Sequence, residues 1–159
     1  MGMTPLERAP SKRAENARNL SQTREFFGKL FKLHPSLSVY YPGCGVDFAL
    51  DDFLPPKNRY YLDKDVYRPD VVKGYFGDTP NLLDGEFDML YLRDAHQRKR
   101  DFSEMLRVVR PHGLVVVNLF QCGLEGRDAM GIEEVAAYPL LTARTVVEGS
   151  YPVRTFIKK

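Results

Sequence analysis

The chain has 159 residues, 43% of them apolar and 28% charged, with a formal net charge of +2, which together describe one globular domain and exclude global disorder. So small a net charge does not point to a nucleic-acid or membrane partner, and two cysteines outside any Cys-x-x-Cys pair, Cys44 and Cys122, exclude a disulfide framework or a zinc site of the usual spacing. No apolar run approaches a membrane span and the N-terminus lacks the apolar core of a signal peptide, so a reducing cytoplasm is the expected location.

Residues 1–20 are polar, contain proline and lean to Arg and Lys; they read as an extended or loosely helical arm ahead of a single domain over 21–159. From Ser21 the spacing of Phe26, Phe27, Leu30 and Phe31 predicts a helix with one apolar stripe, stopped at His34-Pro35. Arg24, Lys29 and Lys32 fall on its solvated face. Short β runs follow at 37–41 and 58–63, with a third within 71–78 and a near-continuous apolar run, "FDMLYL", at 87–92. Phe102, Met105, Leu106 and Val109 share a helical face, Asp101 with Glu104 resembles a capping box, and Pro111-His112-Gly113 marks the helix end. "GLVVVNLF", 113–120, is a clear strand. Beyond it, "GIEEVAAYPLL" predicts a short helix stopped before Pro139, and 144–148 with 153–159 read as a hairpin turning tightly at Gly149-Ser150. The order predicts an α/β protein with a mostly parallel sheet and a C-terminal antiparallel pair.

Several landmarks recur in a fixed order. Gly43-Cys44-Gly45 follows the first strand, and Asp63 ends the second about twenty residues later. Gly77-Asp78 follows the third, "FDMLYL" is the fourth, and "RVVRPHGLVVV" supplies a turn and a fifth strand. This set resembles class I S-adenosylmethionine-dependent methyltransferases. The resemblance implies a three-layer Rossmann-like methyltransferase fold, and an activity of S-adenosylmethionine-dependent methyl transfer to an acceptor it does not name. The alternative is a relative that keeps the fold as a binding or scaffold module without catalysis.

The resemblance also implies a site for S-adenosylmethionine or S-adenosylhomocysteine. Gly43 and Gly45 would let backbone N–H groups approach the ligand, Asp63 would accept the ribose hydroxyls, Asp78 would meet the adenine amine and Phe76 would wall the ring. The chain departs from the family at two loop positions. Tyr41 stands where the pattern has an acid, and Asp47 where it has a third glycine. Both count among the cofactor-binding candidates: Asp47 could take over the methionine ammonium, or cap the next helical turn. A dinucleotide fingerprint fares worse, since its third glycine falls on Phe48, so NAD-type or nucleotide-sugar chemistry ranks last.

Some crossover helices are short: "LPPKNR" trims the one after the glycine loop, and the interval from Asp63 to Asp78 has no room for another of about 10–12 residues. The thin cover predicted on one face makes a homo-oligomer one way to bury it. A general base for a protonated acceptor is sought in "YLRDAHQ", where Asp94 and His96 are the candidates beside Tyr91. Cys44 reads as a small residue packed under the turn, the charges of "RDAHQRKR" as a solvated loop, and His112 as a substitution tolerated where glycine is usual.

Overall fold

The computed structural model describes residues 5–93, 98–119 and 130–159, with side chains described from Arg13 onwards. Helix α1 spans Pro5–Leu33, and strand β1 spans Val39–Pro42. Single 3₁₀ turns at Ala49–Asp52 and Pro56–Asn58 lead to β2, Arg59–Asp63, and β3, Val71–Lys73. Then come β4 (Phe87–Leu92), α2 (Lys99–Arg107), β5 (Val109–Asn118), α3 (Ile132–Ala136), β6 (Leu141–Ala143) and β7 (Val153–Lys158). Among the described residues these strands form one seven-stranded sheet in the order β3-β2-β1-β4-β5-β7-β6. The first five are parallel, and β7 runs antiparallel between β5 and β6.

The apolar runs are continuous because both faces of the sheet are covered. Tyr40, Leu62, Leu90, Leu92, Val115 and Val117 pack beneath α2 and α3 with Phe102, Met105, Leu106 and Val135. Their alternate neighbours, Tyr41, Tyr61, Met89, Tyr91 and Val116, pack beneath α1 with Phe26, Phe27, Leu30 and Phe31. The predicted α1 stripe therefore faces the core, while Arg24, Lys29 and Lys32 are exposed as expected. Phe27 meets Tyr91 edge-on, with centroids 5.0 Å apart.

The fold departs from expectation in five places. Helix α1 begins at Pro5 rather than Ser21. The described inward groups before Ser21 include two amides, Asn16 and Asn19, which carry no hydrophobic signal in the sequence. The face left thin by the trimmed crossovers is covered within the chain by α1, which packs with Leu50 and Leu54 there. Helix α2 starts at Lys99, with Asp101 as its third residue: the Asp101 carboxylate accepts the Arg98 N–H (3.3 Å). Val109 belongs to β5 and pairs with Phe87; the register jumps to Met89↔Leu114, so Pro111-His112-Gly113 is an irregularity inside the strand, not a helix end. The C-terminal pair is joined by the long connection 144–152 and not by a tight turn: Val147 is buried and Tyr151 packs on Phe26, which pulls the expected strand off the sheet onto α1. No helix among the described residues is long and apolar enough to cross a membrane.

Candidate functional site

Strand order reverses between β1 and β4, and open α/β sheets bind ligands at the carboxyl ends of strands beside such a reversal. At that point Pro42 ends β1 and the chain makes a turn with Gly43 at φ +67° and Gly45 at φ +56°. Most other residues in this left-handed region cost about 1–2 kcal/mol, which favours glycine at both positions. The turn is closed by its own backbone. Gly43 N–H donates to Leu62 O (2.7 Å), and Gly45 N–H donates to the Asp63 carboxylate (2.8 Å). The other Asp63 oxygen accepts Asp65 N–H (2.9 Å), so the carboxylate is held rigidly at the end of β2.

The turn uses the N–H groups of Gly43 and Gly45 within the protein, for Leu62 O and the Asp63 carboxylate. It offers absence of bulk: a Cβ built on Gly45 would meet nothing within 4 Å.

Above the turn lies a cleft of about 600 Å³. Its floor is Tyr41 and the loop from Gly43 to Ala49, and its walls are Asn16, Leu20 and Arg24 of α1 with Arg93 after β4. The two residues at which the loop leaves the family pattern meet here. Tyr41 O–H donates to Asp47 Oδ2 (2.9 Å), and Asp47 Oδ1 accepts Ala49 N–H (3.2 Å), an Asx turn two residues ahead of the 3₁₀ turn, whose N-cap position is Phe48. Burial drives the Tyr41 phenol well above its ordinary pKa, with the charges of Tyr91 and Asp47 acting the same way, so it stays a donor.

Arg93 is the residue that sequence reasoning missed. Counted with the solvated run 93–100, it is in fact buried, whereas Arg98, Lys99 and Arg100 are exposed as expected. Its Nε donates to Asn19 (3.4 Å), its Nη2 donates to Asn16, and its Nη1 stands 4.0 Å from Asp47 Oδ2. Asn19 in turn exchanges two bonds with Asn118 at the end of β5 (2.8 and 3.1 Å), and Asn118 also donates to Thr23 and Tyr91. The only trace in sequence is a polar residue directly after each of two apolar runs.

Phe76 and Asp78 are not walls of this cleft. Gly74 N–H donates to Asp63 O (3.1 Å), so the loop that carries them leaves the sheet beside Asp63. Phe76 is half-buried against the face under α2, and Asp78 is exposed. The loop is pinned to α2 by Tyr75 O–H donating to Asp101 (2.5 Å), and Gly77 is required there because a Cβ would fall 2.3 Å from an Asp101 oxygen. Behind the glycine turn, Cys44 is buried and burial pushes its thiol up to about 12, as expected of a packing residue. Asp94, His96 and Cys122 lie outside the described residues.

No protein-family model matches the sequence, and no curated protein matches it significantly. Solved structures do match. A methyltransferase from Geobacter sulfurreducens aligns over 99% of this chain and 90% of its own, with a TM-score of 0.59 at 12% identity. The 1,6-didemethyltoxoflavin-N1-methyltransferase of Burkholderia thailandensis, solved with S-adenosylhomocysteine, aligns over 99% and 92%, with a TM-score of 0.56 at 15% identity. The strand order, the antiparallel seventh strand and these whole-chain alignments show that this chain has the class I S-adenosylmethionine-dependent methyltransferase fold.

Proposed function

We propose that the chain binds S-adenosylmethionine at the carboxyl ends of β1 and β2 and acts as a methyltransferase. The observation that carries this reading is the contact between Gly45 and Asp63: the side-chain-free turn that lines the open cleft beside the strand reversal is bonded to a carboxylate fixed at the end of β2, next to that lining though not part of it. The fit is one of shape and charge. Gly45 leaves space where a Cβ would intrude, and Asp63, with two N–H donors already in place, keeps acceptor capacity on each oxygen for vicinal hydroxyls. Tyr41, Gly43 and Asp47 would line the amino-acid end, and Asp78 with Phe76 would serve the adenine end beyond Asp63.

When bound, the cofactor supplies an electrophilic methyl group on a sulfonium. What the chain contributes is alignment and exclusion of water. Helix α1 roofs the cleft with Asn16, Leu20 and Arg24. For an acceptor that holds a proton at neutral pH, Asp94 and His96 are the proposed bases, from their place after β4 in the sequence.

The test is a thermal-shift series with S-adenosylmethionine, S-adenosylhomocysteine, NAD and ATP. At about a hundred times its dissociation constant a true ligand stabilises by about 2.7 kcal/mol. Both adenosyl compounds should do so, and Asp63→Ala should lose most of the shift relative to its own unliganded melting. Absence of any shift with either adenosyl compound would refute the reading.

A further inference from the structure

Asp47 and Arg93 face the same cleft with their side chains 11% and 7% exposed, and they do not hydrogen-bond each other: Nη1 and Oδ2 stand 4.0 Å apart. Each has polar neighbours of its own. Tyr41 O–H and Ala49 N–H orient the carboxylate, and Asn19 and Asn16 orient the guanidinium. Two nearly buried, opposite, pre-oriented charges side by side are a costly arrangement for stability alone. Their geometry complements a small zwitterion whose ammonium meets the carboxylate and whose carboxylate meets the planar guanidinium.

Resting on the adenosyl-cofactor reading above, we infer that Asp47 and Arg93 form a clamp for the α-amino-acid end of the cofactor. The acidic function that the family pattern places at position 41 has moved to position 47, and Tyr41 has become a positioning residue that holds it. Arg93 adds the second charge. The cleft thereby distinguishes ligands by their amino-acid end as well as by their adenosine.

Calorimetry on the full chain with S-adenosylhomocysteine and 5′-methylthioadenosine tests this, because the second keeps the adenosyl group and lacks the amino acid. The wild type should bind the first at least about tenfold more tightly. Asp47→Asn and Arg93→Gln should each weaken it by about tenfold or more while changing 5′-methylthioadenosine by less than about twofold. Equal wild-type affinities overturn the clamp and leave the adenosyl reading standing, and this comparison does not depend on the variants folding. Equal loss of both ligands in the variants also overturns it. Binding of neither ligand overturns the clamp and the cofactor reading together.

Discussion

The phenol of Tyr41 donates a 2.9 Å hydrogen bond to the carboxylate of Asp47, tying together the two positions at which the glycine loop departs from the methyltransferase pattern. The departures are therefore one coupled change. Tyr41→Phe should cost about 1–2 kcal/mol, and Asp47→Ala more, since it leaves a buried phenol without its acceptor and removes the charge beside Arg93. Urea denaturation of both single variants and the double variant should give a coupling energy of about 1 kcal/mol. Simple additivity would mean that the bond contributes nothing.

Asp51 should set part of the acid sensitivity. It accepts from Arg68 (2.5 and 3.2 Å) and Tyr61 O–H (2.8 Å) and pairs with Arg59 (3.0 Å), and the Arg68 guanidinium foremost holds its carboxyl below the usual range. A depressed native pKa contributes stability that is complete above the unfolded value of about 3.9 and is lost as pH falls through the native one. Urea midpoints measured from pH 6 to pH 3 should fall more steeply for the wild type than for Asp51→Asn. At pH 7 that variant should be less stable by about 2 kcal/mol.

Cys44 should be inert. With its thiol pushed up to about 12, the thiolate fraction near pH 8 is small and the sulfur is buried. In a Cys122→Ser background, iodoacetamide should modify the native protein at least about a hundredfold more slowly than the urea-unfolded chain. Comparable rates would show that the turn does not shield the thiol.

His112 is exposed and adopts φ +63°, inside the irregular stretch of β5. Histidine tolerates this region better than most residues, but glycine adopts it without the Cβ penalty. His112→Gly should therefore stabilise by up to about 1 kcal/mol, read as a higher urea midpoint at unchanged slope. A lower midpoint would mean that the imidazole makes a compensating contact.

The parts that were legible in the sequence are those with local causes. "FDMLYL" became β4 with the bounds expected, because a strand buried on both faces needs a continuous apolar run. Gly43 and Gly45 were legible because a left-handed turn admits little else. The illegible parts were those where a side chain's partner lies far along the chain. Val147 looks like a strand residue, yet it finds burial in the cluster under α1 and not in the ladder.

By itself, then, the sequence determined the order of strands and turns, the carboxylate at Asp63 and the two loop departures, since period-two patterning and turn chemistry act over a few residues. The tertiary structure decided what the departures mean. Only folding brings Asn19 to Asn118, 99 residues away, and Arg93 beside Asp47. It also sets the cleft against Tyr41 and Arg93 instead of Phe76 and Asp78, because the end of β4 lies next to β1 while the loop after β3 is drawn onto α2.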